Sequence, residues 1–496
     1  MKILILSPFS SVGAFTRPLV KLAGILNKNK FDVSFLFCNR AMENGCVAMR
    51  AENLSEGSPI SEKRKICDKC ILTSKTIQNA TQTKCYWINK TDYKSTKIPK
   101  KIKNIFAHDI ILERKVYSEK SLQKIFRFES KRIEELHNIY KKIKKNQEII
   151  NHDVIFSYNS NYSFHQLFKC ILPARKHFLS IHKSFNSGDK TGYVMYKDFS
   201  FDFFKNIVKK QNELCKKLGK YSRRMIKKNE KVIFGGDAPW AYSKPISQNG
   251  LATELKLKKN KKVLILLSSP DENFAGQKSG IFKLAYKRQP FKDQISWLSW
   301  VFYLSKKYKE TKFFIRPHPR FFPNKRENTL SEIGRQILRI SEKIKLKNVE
   351  FSNLNDMESV WDHLKDTDLV LNAWSSVAEE FGKKGIPVLT FFPNYSFSGR
   401  NCDFWFNSKA GYEKFINTIL SNQKIDVDSE NYYRWQFLLF TVNRFHLNIR
   451  NSIACKLKSF FNNKRKLHYI YKDLFFRKTN NKSLIKIVNR LLFSFT

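Results

Sequence analysis

The stretch that most narrows the choice of fold runs from Asp368 to Thr390. An apolar run, Leu369-Val370-Leu371, breaks into a polar loop at Asn372. A helical pattern starts at Ser375-Ser376, stops at Gly385, and gives way to a second apolar run, Val388-Leu389. Strand, helix and strand in such quick succession require a crossover connection, and hence a parallel sheet. A second segment, Phe313 to Arg320, also reads as a buried strand, ending in the loop Arg316-Pro317-His318-Pro319-Arg320. Open parallel sheets bind ligands at the carboxyl ends of their strands. Both loops therefore fall where chemistry is expected.

The same rhythm recurs along the 496 residues, which are too many for one compact core. Residues 2–7 and 31–37 read as strands flanking a helix. Residues 153–157 and 177–181 read as two more, followed by a long helix over 201–228 and a short strand at 231–234. In the second half, strands are expected near 263–268, 312–316, 349–352, 368–372 and 387–391. The expected fold class is α/β, with two Rossmann-like domains facing a cleft. Residues 1–240 form the first domain, 241–261 the linker, 262–430 the second domain and 431–496 a basic helical tail. Residues 45–100 are polar, rich in cysteine and read as an irregular insertion. The dense apolar helix around Tyr432–Phe440 reads as a brace between the domains.

Charge is the anomaly. Lys and Arg number 92 against 43 acids, a net charge of +49, which attracts polyanions such as nucleic acid, an anionic membrane face or anionic glycans. The tail carries 14 basic residues and one acid, Asp473. Its stretch Lys482–Phe495 is apolar on one side and basic on the other, which suits either a bilayer surface or the core. The basic residues are spread over the whole chain, and no RRM, KH or helix-turn-helix signature appears, which argues against nucleic acid. No secretory leader and no spanning apolar run is evident. The expected location is cytoplasmic, peripheral on the inner membrane face.

Arg316 and His318 suit phosphate oxygens: a planar fork of donors, and an imidazole that can donate to or protonate a leaving phosphate. A helix starting at Ser375-Ser376 would add unpaired amides at its positive end. Glu379 or Glu380, one turn on, could accept hydrogen bonds from ribose hydroxyls or close a capping box. General-base candidates are Asp271 and Glu272 in the loop after the first strand of the second domain, Asp237 after Gly235-Gly236, and His182 after a strand. Cys67 and Cys70 have the C-x-x-C spacing of a zinc knuckle. With Cys38 and Cys46 they are expected to hold a structural zinc that staples the insertion.

The Arg-x-His-Pro loop, the Ser-Ser-x-x-x-Glu element and the following Gly-x-Pro-Val, set in two Rossmann-like halves, resemble GT-B glycosyltransferases of bacterial surface (capsular) polysaccharide biosynthesis. The similar types use CMP-linked Kdo or sialic acid, or CDP-glycerol. The resemblance implies a transferase moving a sugar from a CMP- or UDP-linked donor to a surface-polysaccharide or lipid-linked acceptor, with Arg316, His318, Ser375 and Ser376 on the donor phosphates. It makes residues 1–240 the acceptor domain and 262–430 the nucleotide-donor domain; the match itself covers residues 262–392, and the first half matches only in architecture. The acidic-acidic-Gly tripeptide that sialyltransferases of this fold carry is absent. The alternatives are a CDP-polyol phosphotransferase and a basic nucleic-acid-binding protein.

Overall fold

The computed structural model describes residues 1–55, 57–90, 98–173, 176–187, 189, 191–197, 201–214, 218–235, 245–247, 260–281, 290–323, 329–353, 358–392, 403–447, 449, 464–477 and 481–493. Two sheets organise them. The first contains β1 (Lys2–Leu6), β2 (Asp32–Asn39), β3 (Lys84–Asn89), β4 (Val154–Tyr158), β5 (His177–Lys183), β6 (Gly192–Lys197) and β12 (Arg444–His446), in the order β12-β6-β5-β4-β1-β2-β3. All neighbours are parallel except β5–β6 and β6–β12. The second contains β7 (Lys262–Leu266), β8 (Lys312–Arg316), β9 (Val349–Phe351), β10 (Leu369–Asn372) and β11 (Val388–Thr390). Its order is β11-β10-β7-β8-β9, parallel throughout.

Both sheets are the doubly wound α/β kind the strand rhythm called for. Their central strands are continuous apolar runs because helices cover both faces. Ile3, Leu4, Ile5 and Leu6 in β1, and Val263, Leu264 and Ile265 in β7, are all buried. Each sheet has one switch point, where the crossovers change direction: between β1 and β4 in the first, and between β7 and β10 in the second.

Three expectations need correction. The stretch 45–100 is not irregular. It supplies a 22-residue helix, Ile60–Thr81, and then the edge strand β3. Ile66 and Ile77 bury into the cores on either side of the sheet, so ordinary packing orders this helix. Lys231–Phe234, read as a strand, is the last turn of the helix Lys220–Phe234; its apolar residues Ile233 and Phe234 pack on the second sheet's core. The single long helix over 201–228 is two, Phe201–Leu214 and Lys220–Phe234. Asp237 and most of the expected linker lie outside the described residues.

The end of the chain returns to the first sheet. β12 pairs antiparallel with β6, and the helices Lys464–Phe476 and Lys482–Phe493 pack beneath it. Leu484, Ile487, Val488, Leu491 and Leu492 are buried with Leu467, Tyr471 and Phe475 against β1, β2 and β4. The apolar stripe of the last helix therefore faces the core, and Lys482, Lys486 and Arg490 face out. Two lysines of the helix Gly13–Lys28 tie the junction. Lys21 Nζ donates to the carbonyl of Arg477 at 3.0 Å and Lys28 Nζ to that of Phe476, so cations meet the negative end of a helix.

Gly24 sits at the closest approach. A Cβ there would lie 1.9 Å from the carbonyl oxygen of Phe475, a backbone atom that cannot swing away. Gly24→Ala is expected to cost about 1–3 kcal/mol, the usual penalty of overpacking, measured by urea denaturation. Deleting residues 480–496 is expected to leave an insoluble protein rather than a soluble one that has lost a membrane anchor.

Candidate functional site

In the second sheet β8 and β10 both flank β7. The loops that follow them, 317–320 and 373–377, thus border the segment Leu267-Ser268-Ser269 that leaves β7, all at the carboxyl edge. The two segments singled out in the sequence therefore lie at one carboxyl edge, on either side of β7.

Arg316 ends β8 and is 5% exposed. Its Nε has no hydrogen-bond partner among the described residues. Burial draws the guanidinium down to about 10, opposed by Glu358, so it remains a cation at neutral pH. His318 lies two residues on, and its Nδ1 accepts the amide N–H of Arg320 at 3.2 Å. That places the ring proton on Nε2. Burial, then the charges of Arg316, Arg320 and Lys115, push the imidazole down to about 3. At neutral pH His318 is therefore an uncharged N–H donor, not an imidazolium.

Arg320 anchors the loop. Its Nε donates to Asp271 Oδ2 at 3.0 Å, its Nη2 lies 2.9 Å from the same oxygen, and Nη2 also donates to the carbonyl of Leu112. Asp271 lies in the first turn of the helix Pro270–Ser279, not in a loop, and is 1% exposed. It also accepts the hydroxyl of Ser269 at 2.5 Å. A carboxylate so occupied fixes the loop. Glu272 beside it has a half-exposed side chain 4.0 Å from Arg320 Nε. His182 lies inside β5 of the first sheet. Its Nδ1 donates to the Lys183 carbonyl at 2.9 Å, and its ring stacks on Tyr158 and Phe185.

The serines do not start a helix. The helix spans only Ala378–Lys383. The Ser375 amide is taken by Asn372 Oδ1 at 2.8 Å, and Ser375 Oγ accepts the amide of Val377. The Asn372 side chain thus closes a turn where free amides were expected, and Ser376 is exposed at its tip. Glu379 and Glu380 are both buried. Glu380 pairs with Lys383 at 2.6 Å and accepts from Gln436 at 3.2 Å, while Lys383 also pairs with Glu230 at 2.8 Å. That network joins three helices and leaves Glu380 unavailable to a ribose.

Sequence reading missed Lys115. It is fully buried, holds a left-handed backbone (φ 49°) after the helix Lys100–Arg114, and its Nζ donates to the carbonyl of Thr329 at 2.7 Å. Glu332 answers from the other half, accepting the Tyr117 amide at 3.0 Å and the hydroxyls of Ser118 and Ser121. No local signal marks these residues, because their partners lie more than 200 positions away.

Cys38, Cys46, Cys67 and Cys70 do share one small cavity, with Pro8, Arg40, Met42 and Ile66. They are free thiols. Burial, together with the neighbouring thiols, raises Cys38 and Cys67 to about 12. Cys70 Sγ donates to Ser11 Oγ at 3.0 Å. Among the described residues, no group of three or more His, Cys, Asp or Glu is placed to hold a metal ion, so the expected zinc site is corrected. Cys67-x-x-Cys70 lies within a continuous helix rather than a knuckle turn, and apolar contacts already order that helix.

No protein-family profile and no curated protein matches the chain. Solved structures that it resembles include the KpsC β-Kdo 2,4 transferase of Thermosulfurimonas dismutans, at 11% identity and a TM-score of 0.35, covering 60% of this chain and 81% of that one. Another is sucrose-phosphate synthase of Thermosynechococcus elongatus, at 11% identity and 0.30, covering 93% and 98%. A third is the spinosyn rhamnosyltransferase SpnG, at 10% identity and 0.28, covering 89% and 96%. TM-scores this low carry no argument about activity, and the two-sheet architecture rests on the strand pairing itself.

Two variants separate structure from chemistry. Asp271→Ala strands a buried Arg320 and is expected to cost about 3–5 kcal/mol in chemical denaturation. Glu272→Gln is expected to stay within about 0.5 kcal/mol of the parent. The His318 imidazole is expected to show no titration between pH 5 and pH 8 by NMR, because it is already neutral across that range.

Proposed function

We propose that the protein is a glycosyltransferase that moves a sugar from a nucleotide-activated donor to a surface-polysaccharide or lipid-linked glycan acceptor. The observation that carries this reading is Arg316: a buried guanidinium whose Nε has no partner among the described residues, at the carboxyl edge of a parallel sheet, two residues before an imidazole that carries its proton on Nε2. A buried guanidinium N–H with no partner among the described residues suits an anion, and phosphate oxygens suit both Arg316 and the neighbouring imidazole.

In this reading the acceptor hydroxyl oxygen attacks the anomeric carbon. The bond from that carbon to the donor's phosphate oxygen breaks, and its electrons leave with the phosphate. Arg316 and the Nε2–H of His318 stabilise the charge that develops there. The acceptor's proton passes to a carboxylate, for which Glu272 on the rim is the candidate. Ser375 and Ser376 contribute hydroxyls on the opposite side of the switch point. Among the described residues no helix is long and apolar enough to cross a membrane. Attraction to an anionic inner membrane face is proposed to come from charge alone, including the outward Lys482, Lys486 and Arg490.

A thermal-shift screen with CMP, CDP, UDP and GDP tests the reading. One nucleotide at 100 times its dissociation constant is expected to add about 2.7 kcal/mol of stability. Arg316→Ala is expected to abolish that shift, and His318→Ala to cut transfer at least tenfold with the fold intact. A protein that no nucleotide stabilises would not be a nucleotide-sugar transferase.

A further inference from the structure

One face of the second sheet carries a line of charged side chains that take no part in the chemistry proposed above. Lys262 opens β7 at the amino edge and is 7% exposed. Its Nζ donates to Asp366 Oδ2 at 2.5 Å and to His363 Nδ1 at 2.9 Å. His363 closes the short 3-10 turn Val360–His363, and its ring lies 4.3 Å from that of Phe314 in β8. Its Nε2 lies 3.4 Å from Glu358 Oε1.

Each bond in this line has a direction. An ammonium only donates, so His363 Nδ1 accepts and the ring proton sits on Nε2. That N–H faces a carboxylate oxygen able to accept it. Burial, then the charge of Lys262, lowers the imidazole, opposed by Asp366 and Glu358, so the ring stays neutral. The order is cation, neutral ring, anion.

The line ends near Arg316. Side chains alternate along a strand, so Phe314 and Arg316 share a face of β8, the face on which His363 packs. The charge of Glu358 offsets part of the cost of burying Arg316. Its carboxylate nevertheless bonds to His363, and no hydrogen bond or ion pair joins it to Arg316, whose Nε has no partner among the described residues. A carboxylate and a guanidinium close readily into a two-pronged pair. Closed here, that pair would occupy the donors that a phosphate needs.

We propose that His363 is a positioning residue that holds the Glu358 carboxylate away from Arg316 and so keeps the guanidinium open for an anion. It acts through Glu358 and touches no ligand. The inference rests on the reading of Arg316 as the donor-phosphate site. It adds that the site carries its own competing anion, restrained from the amino edge of the same sheet through Lys262 and Asp366.

The test uses the full chain and a double-variant cycle. His363→Phe keeps a ring against Phe314 and removes the N–H. Titration calorimetry with whichever of CMP, CDP, UDP and GDP stabilises the parent is expected to show binding weakened about fivefold or more. Adding Glu358→Gln is expected to restore it to within about twofold of Glu358→Gln alone. A role in packing would not be rescued by that second change, so a double variant as weak as His363→Phe, or an unchanged affinity in His363→Phe itself, overturns the proposal. If His363→Phe does not fold, Glu358→Gln decides alone. Its side chain is one-third exposed, and removing a negative charge beside the site is expected to tighten nucleotide binding about twofold or more; equal or weaker binding overturns the proposal. A second readout needs no nucleotide. In protein labelled with 15N-arginine, the Arg316 Nε–H, identified by its loss in Arg316→Lys, is expected to move downfield in His363→Phe as Glu358 closes on it, and to return in the double variant. Should no nucleotide bind the parent, the transferase reading fails, and this NMR signal decides the restraint by itself.

Discussion

The pair Arg320–Asp271 is the contact on which the second sheet's edge depends. Two charges with at most 5% of their side chains exposed are held by dense hydrogen bonding: Asp271 accepts from Arg320 and Ser269, and the guanidinium donates to Asp271 and the Leu112 carbonyl. Removing either partner leaves a buried charge, which is far costlier than replacing the pair outright. The pair also sets the geometry of the neighbouring residues. It holds Arg320 so that its amide points at His318 Nδ1, which fixes the imidazole tautomer with its proton on Nε2. A structural ion pair thereby decides which chemical face a separate side chain presents.

The same pair belongs to a joint between the halves of the chain. Leu112, Lys115, Tyr117, Ser118 and Ser121 come from the first half, and Arg320, Thr329 and Glu332 from the second. A second joint, Lys383 with Glu230, Glu380 and Gln436, ties the helices Lys220–Phe234, Ala378–Lys383 and Ser429–Thr441. Both joints are polar and buried. Such contacts demand specific geometry, whereas an apolar interface tolerates sliding. Relative movement of the two sheets would have to break one of them or pivot about it.

What could be read in the sequence follows the range of the interactions. The five strands of the second sheet were legible because each is a continuous apolar run bounded by breakers, a local signal. Arg316 and His318 were legible as the end of a strand and the loop after it for the same reason. The status of Asp271 was not, because a carboxylate after a strand looks alike whether it faces solvent or an arginine 49 residues away. The Ser375 turn was misread because Asn372 competes for the amide that a helix start would leave free. The four cysteines were rightly grouped by spacing, yet the helix that carries two of them needs no staple.

The return of the chain's last strand and helices to the first sheet has a consequence for biosynthesis. β1 leaves the ribosome before the second sheet, yet the helices Lys464–Phe476 and Lys482–Phe493, which cover part of β1's sheet, leave after it. The second sheet, by contrast, is closed within residues 262–390. Synthesis at roughly 5–20 residues per second therefore gives the later unit the chance to finish first. The earlier one waits tens of seconds with that apolar face covered only in part, by the helix Gly13–Lys28. During that interval the nascent chain presents to the cell's holding factors a sheet half-roofed on one side and lacking its last edge strand.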